Sequence, residues 1–359
     1  MATVKLGDIA IEAKSSNKGD KTGIKIVGLE HLTPSNVTLS SWSDDAENSF
    51  TKEFSKGDVL FGRRRAYLKK AAVASFDGIC SGDITVIRAI EGKVDPELLP
   101  FIIQNDYLFD FAVGKSAGSL SPRVKWTHLK EFTIELPSMS EQSKLAETLW
   151  SINETKNAYE DLINKTDELV KSQFIEMFGD LYNAGGKWDS YSFVDAIEDI
   201  SRKGTKIPKE EYLESGEYPV IDQGQDFIAG YTDKNEGMIL ESETIVFGDH
   251  TRCFKYMDFP YFMGADGVKV LKAKIDDLDY KFLLQELKLM PIPNMGYNRH
   301  FRWLKEFKVY VPPIHLQKKY AEFIEQSDKS KFALQEAIKD LDALSKKIIA
   351  ENLIPAGKE

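Results

Sequence analysis

Leu129-Lys130-Glu131-Phe132 returns as Leu304-Lys305-Glu306-Phe307, and the 175 residues between the copies decide the plan of the chain. The same offset carries Pro137 onto Pro312, Gln142 onto Gln317, Ala146-Glu147 onto Ala321-Glu322 and Asp167 onto Asp342. A chain built twice on one plan presents two similar sites, which suits a target with two parts.

Each copy leads into a helical stretch. After Pro137 the apolar residues fall at Leu145, Leu149, Ile152, Tyr159, Leu162-Ile163, Leu169-Val170, Phe174 and Met177-Phe178, a spacing of three and four. Ser140 and Ser143 supply start signals, and neither Gly nor Pro interrupts before Gly179. A helix of about 38 residues, about 57 Å long, is expected. Its copy carries Tyr320, Ile324, Leu334, Ala337-Ile338, Leu341, Leu344 and Ile348 and ends before Pro355. Each helix has one apolar stripe and cannot stand alone, so the two are expected to pack antiparallel against each other.

Ahead of each helix lies a mixed segment with a matching order. The strand-like run 57–62 parallels 242–248, and both close on a glycine. Further strands are expected at 84–90 and 268–271, helices at 96–111 and 278–289, then polar loops at 118–126 and 294–303, and strands at 129–136 and 304–311 that feed the long helices. The fold class is therefore α+β: two mixed domains, 1–139 and 182–313, each followed by a long helix, 140–181 and 314–359.

At 359 residues and 42% hydrophobic content the chain can bury two ordinary cores. No apolar run reaches the roughly 18 to 20 residues of a membrane span, and the first residues lack the apolar centre of a secretion signal, so no membrane partner and a cytoplasmic location are expected. Cys80 and Cys253 are too few and too far apart for a disulfide framework or a zinc site of CxxC type.

The net charge of −10 argues at first against nucleic acid. Its distribution alters that. Residues 1–139 hold eighteen basic and eighteen acidic side chains, 140–181 four and nine, 182–313 seventeen and twenty-two, and 314–359 eight of each. Half of the acidic excess thus sits in one helix, and local basic clusters remain: Arg63-Arg64-Arg65 with Lys69-Lys70, Arg123 with Lys125, Arg202-Lys203 with Lys206, and Arg299-His300 with Arg302 and Lys305.

Catalytic signatures are missing. Gly114-Lys115-Ser116 lacks the glycine five residues upstream that a phosphate loop needs, where Phe109 stands. There is no HExxH, no glycine-rich cofactor loop opening a helix, no Asn-Pro-Pro-aromatic signature of amino-methyltransferases, and the five histidines are dispersed. Binding is better supported. Arginine is the side chain best suited to fork onto phosphate or guanine. If the strand before Gly62 continues, Arg63 and Arg65 share a face and Arg64 points away; the plainer alternative pairs one or two of them with Asp58, Asp77 or Asp83. Ser121, Arg123 and Lys125 in one loop, and Asn298, Arg299, His300 and Arg302 in the other, are further candidates, since Asn can read adenine by two hydrogen bonds. For Tyr297 and Phe301 core packing is the favoured reading over base contact.

These residues carry a family resemblance. The runs 25–32, 57–70 and 76–83, the Leu136-Pro137 to Gln142 junction, the segment Tyr218-Pro219-Val220-Ile221-Asp222-Gln223-Gly224 and the Val311-Pro312 to Gln317 junction together resemble the specificity subunit of type I restriction-modification systems. The resemblance implies two target-recognition domains in inverted orientation. They are held apart by an antiparallel pair of helices, and each reads one half of a split double-stranded DNA sequence. It also implies partners: two modification subunits that bring S-adenosylmethionine and methylate adenine, and restriction subunits that use ATP and Mg for translocation and cleavage. The chain itself then needs no cofactor and is not an enzyme. The DNA-contacting candidates are Arg63, Arg64, Arg65, Lys69, Ser121, Arg123 and Lys125 in the first domain and Gln223, His250, Arg252, Asn298, Arg299, His300 and Arg302 in the second. Asp249-His250-Thr251-Arg252 replaces the arginine run there, a departure that fits two different half-sites. Two rival readings keep the repeat: a recognition module of another nuclease or defence complex, and a coiled-coil scaffold whose domains bind proteins.

Overall fold

The computed structural model describes residues 2–45, 47–185, 187–296 and 298–355. The chain divides into two compact units, Met1–Asp161 with Leu334–Glu359, and Leu162–Ala333. Each takes one mixed domain and a share of both long helices.

The two units repeat one sheet. In the first, antiparallel strands run in the order Ala10–Glu12, Ile84–Ala89, Val59–Gly62, Ala71–Val73; in the second, Ile197–Asp199, Val268–Ala273, Thr244–Gly248, Phe254–Met257. The strands Val59–Gly62 and Thr244–Gly248 are buried throughout because both of their faces are covered, and all but Thr244 are apolar or glycine. Val59 and Phe61 point into the core shared with the helices, while Leu60 points into a second core with Val27, Phe54 and Cys80. Ile245 and Phe247 divide from Val246 in the same way.

A second sheet covers the far face and is where the copies part. In the first unit Gly78–Cys80 lies parallel to Lys25–Val27 and antiparallel to Lys52–Phe54. In the second, Phe262–Gly264 lies between Tyr218–Ile221 and Lys206–Ile207, parallel to both, and Tyr218–Ile221 continues into an antiparallel pair with Gly230–Thr232.

Each unit is closed by a two-stranded antiparallel ribbon joining where the domain begins to where it ends: Ala2–Lys5 with Thr133–Leu136, and Asp189–Ser192 with Lys308–Val311. The second strand of each ribbon runs straight into a long helix. These helices span Met139–Phe178 and Ile314–Asn352. The central one stops short of the expected 181 because Gly179 takes a left-handed φ of 88°, a conformation open to glycine at no steric cost.

The repeated glutamines explain themselves at this junction. Gln142 is buried; its amide donates to the Pro137 carbonyl (2.9 Å) and its oxygen accepts the Asp95 N–H (2.9 Å). Gln317, fully buried, donates to the carbonyls of Pro312 (2.6 Å) and Asp277 (2.9 Å) and accepts the Asp279 N–H (2.9 Å). One side chain thus stitches the first turn of each long helix to its domain, so the 175-residue repeat is partly a structural fastening.

Within each unit the two helices run antiparallel. In the first, Ala146 and Leu149 share a core with Ile349 and Leu353, and Lys156 pairs with Asp342 at 2.8 Å. In the second, Lys331 pairs with Asp167 at 2.8 Å, the Tyr320 hydroxyl donates to the Val170 carbonyl at 3.0 Å, and the Tyr320 ring meets Phe174 and Phe178 edge-on at 5.4 and 5.5 Å.

Four expected elements differ. The helix expected over 96–111 is two, Leu99–Ile103 and Asp106–Gly114. The break is at Asn105, whose side chain caps the second by accepting the Tyr107 N–H and donates to the Leu353 carbonyl at 2.7 Å. The strands expected from 129 and 304 begin at Thr133 and Lys308, because the preceding residues form helical turns, Trp126–Leu129 and Phe301–Leu304. The helix expected from 278 starts at Tyr280, capped by Asp279.

Candidate nucleic-acid interface

In both units the end of the central strand meets the loop that precedes the short helical turn. The contact is backbone to backbone. In the first unit Val124 N–H donates to the Arg63 carbonyl (3.0 Å) and Arg65 N–H to the Pro122 carbonyl (2.8 Å); in the second, His300 N–H donates to the Asp249 carbonyl (2.8 Å). Sequence-distant polar segments are thereby brought to one place, twice.

The side chains on this shared frame differ. In the first unit the arginines surround one carboxylate. Arg123 forks onto Asp83 through Nε (2.7 Å) and Nη2 (3.2 Å), and Arg64 reaches the same carboxylate at 3.5 Å while its Nη2 donates to Ser121 Oγ at 3.1 Å. The Arg123 hydrogen bond holds the Asp83 carboxyl below the usual carboxylate range, with Arg64 and Arg63 adding to it against partial burial. One carboxylate does not satisfy them all: the buried Nε atoms of Arg63 and Arg64 have no hydrogen-bond partner among the described residues. Arg65 and Lys125 are exposed.

The extended geometry that would put Arg63 and Arg65 on one face does not persist. Strand pairing ends at Gly62 opposite Ile84, and Arg65 turns to φ 54°, ψ 56°, opening a tight turn over Ala66–Leu68. Of the three proposed acid partners only Asp83 takes an arginine of the run, since Asp58 is forked by Arg88 at 2.6 and 2.7 Å and Asp77 accepts the Lys56 N–H. Lys69 is paired with Asp106 at 2.5 Å.

The second unit is held by an acid of its own. Asp249, at the position of the arginine run, is buried; its Oδ1 accepts the Phe301 N–H at 2.7 Å and so caps the short helix. His300 is fully buried, with Nδ1 against the Asp249 carbonyl (3.0 Å) and Nε2 accepting the Met295 N–H (3.4 Å). Although named among the DNA-contacting candidates, this side chain has no exposed surface and both ring nitrogens engaged, an arrangement that positions the loop. Gln223 also serves its neighbours, accepting the His250 N–H at 3.2 Å through its side chain and the Thr251 hydroxyl at 2.6 Å through its carbonyl. Beneath it Lys255, its amine pushed down by burial, donates to the carbonyls of Asp222 (2.9 Å) and Asp226 (2.5 Å). The His250 ring meets the Asn298 carbonyl at 3.2 Å, and the Asn298 amide donates to the Met295 carbonyl. Arg252, at φ 61°, reaches the Ile292 carbonyl at 3.4 Å. Arg299 and Arg302 are exposed, the latter with its guanidinium 4.9 Å above the Trp303 ring. Phe301 is buried in the core, and Tyr297 lies outside the described residues.

Sequence reasoning named Asp83 only as one of three possible partners of the arginine run, did not nominate Asp249 as an organiser, and did not join Arg202, Lys206 and Lys269 to Arg299, with which they line a cleft of about 410 Å³. The basic cluster at 202–206 was the available signal. Among the described residues no group of three or more His, Cys, Asp or Glu side chains is arranged to hold a metal ion, and no helix is long and apolar enough to cross a membrane.

Comparison with known proteins agrees with this doubled plan. The family described as type I restriction modification DNA specificity domain matches residues 1–167 and 187–341. The Escherichia coli type I restriction enzyme EcoDI specificity subunit is 27% identical over 145 residues, which cover 38% of this chain and 31% of that protein, so under a third of that relative's length is matched. The type I restriction-modification S subunit from M. genitalium has a similar fold over 98% of this chain and 95% of its own, with 15% identity and a TM-score of 0.59. A chain from a structure on complex assembly and conformational transition of the type I R-M system is similar over 98% and 97%, with 20% identity and a TM-score of 0.54. With both copies of the repeat inside the matched residues, the chain belongs to the type I restriction modification DNA specificity domain family.

Proposed function

We propose that this chain is the sequence-reading subunit of a type I restriction-modification assembly, with each unit reading one half of a split double-stranded DNA target. The supporting observation is the twice-built junction of strand end and loop, with one backbone frame and two different sets of polar side chains. In the first unit Arg63, Arg65 and Lys125 face phosphates or bases, while Arg64, Ser121 and Arg123 hold the loop around Asp83. In the second, Arg299, Arg302 and Asn298 take the contacting role, and Gln223, His250 and Arg252 brace the loops. The chain performs no chemistry itself; two modification subunits supply S-adenosylmethionine and adenine methylation, and restriction subunits supply ATP- and Mg-dependent cleavage.

Coexpression with type I modification subunits, followed by mapping of methylated adenines, tests this directly. Exchange of residues 182–313 for those of another family member is expected to change one half of the methylated sequence and leave the other intact. A change in both halves together, or methylation that does not depend on this chain, overturns the reading. The scaffold alternative, which the acidic net charge favours, predicts no salt-dependent affinity for any duplex.

A further inference from the structure

Single exposed apolar side chains are ordinary on protein surfaces. Two here occupy one position of the repeat. Leu120, 89% exposed, is the most exposed large apolar side chain among the described residues, and 175 positions on stands Met295, 49% exposed. Each lies in the loop just ahead of the short helical turn.

Neither loop is slack. Ala117 and Arg123 exchange backbone hydrogen bonds (3.1 and 2.9 Å) and so close 118–122 into a tip. Gly118 turns it at φ 116°, and the bond from Arg64 to Ser121 ties it to the strand end. Met295 is fixed by its N–H to His300 and by the Asn298 side chain on its carbonyl. A pinned tip loses little further freedom on binding, which lowers the entropic cost of inserting it. Exposed cations flank both tips in sequence, Lys125 beside Leu120 and Arg299 beside Met295.

We propose that Leu120 and Met295 are apolar wedges that enter the base stack of the DNA, one in each half-site, while the neighbouring cations hold the phosphates. Leucine and methionine suit this task because an apolar side chain slid between base pairs replaces lost stacking by its own burial. The proposal rests on the DNA-reading function proposed above and adds to it the residue in each unit that deforms the duplex.

The test uses the full chain and a duplex selected from a randomised pool, with 2-aminopurine placed at each position in turn. Wild type should brighten the probe at one step in each half-site. Leu120→Ser should abolish one of the two signals and weaken binding roughly tenfold, Met295→Ser the other, both with an unchanged salt slope because no phosphate contact is removed. Both sites are exposed, so neither change disturbs the core. Salt-dependent binding with no brightened step, or with full affinity in both serine variants, overturns the wedges alone. Lost affinity without brightening, reproduced by deoxyuridine in place of thymidine, identifies a methyl contact and also overturns them. If no duplex is selected, the DNA-reading function falls as well.

Discussion

Replacing Glu286 by glutamine should flatten the pH dependence of stability in the second unit. Glu286 lies on the helix Tyr280–Leu289 with no exposed surface. One carboxyl oxygen accepts the Tyr310 N–H at 2.7 Å and the Tyr182 hydroxyl at 3.0 Å, and the other has no partner among the described residues. Two hydrogen bonds on one oxygen do not replace the lost water, so burial pushes this carboxyl up from 4.5 to about 8. The folded protein therefore keeps a proton that the unfolded chain releases above about pH 4.5. The stability tied to that proton is complete at lower pH, declines as pH rises, and is gone above about 8. At 1.36 kcal/mol per pH unit the full span is worth about 5 kcal/mol, of which about 3 falls between pH 6 and pH 9. Glutamine keeps the accepting oxygen and never ionises. Hydrogen exchange at the amides of Tyr280–Leu289 isolates the second unit, and its protection free energy should fall by about 3 kcal/mol from pH 6 to pH 9 in wild type and scarcely at all in Glu286→Gln. Parallel pH profiles in the two proteins would refute the argument.

Gln142→Ala and Gln317→Ala should each destabilise their unit by about 2 kcal/mol, because a buried side chain is removed and a part-buried N–H at Asp95 or Asp279 and one or two carbonyls lose their partners; urea unfolding checks this, and a change below about 0.5 kcal/mol would contradict it. Asp83→Ala should speed hydrogen exchange at Arg123 and Val124, since the carboxylate that gathers the arginines is gone, whereas exchange in the helix Leu99–Ile103 should not change. Replacing Arg63, Arg64 and Arg65 together by alanine should lower the slope of log affinity against log salt by about 2, at about 0.9 per phosphate contact and with Arg64 already committed to Asp83; an unchanged slope assigns the run to structure.

The large features of this fold were legible because they rest on periodicity. A stripe of apolar residues every three or four positions has one solution as a long helix, and both helices lie within a few residues of where the pattern puts them. Strand ends and loop contacts were not legible, because they depend on partners far away in sequence. Nothing in Arg63-Arg64-Arg65 says that the chain turns left-handed at Arg65; the turn exists because Arg65 N–H and the Arg63 carbonyl are taken by residues 122 and 124. The burial of His300 was hidden for the same reason. Beside Arg299 and Arg302 it looks like part of a cationic loop, and only its approach to Asp249 makes it a piece of core.

The exchange of Arg63 for Asp249 between the copies marks where function separates from frame. Both residues give a backbone carbonyl to the following loop, so the fold needs the position but not the side chain. In the first unit the side chain is a cation whose buried Nε has no hydrogen-bond partner among the described residues. In the second it is a carboxylate spent on the Phe301 amide, which fixes the loop from within and leaves the outward positions to Arg299 and Arg302. The second sheets diverge as well, with Lys52–Phe54 antiparallel in one unit where Lys206–Ile207 is parallel in the other. On the function proposed above, copies that hold the sheet order, the closing ribbon and the glutamine stitch in common, yet differ where the strand end meets the loop, each meet their own half of the target.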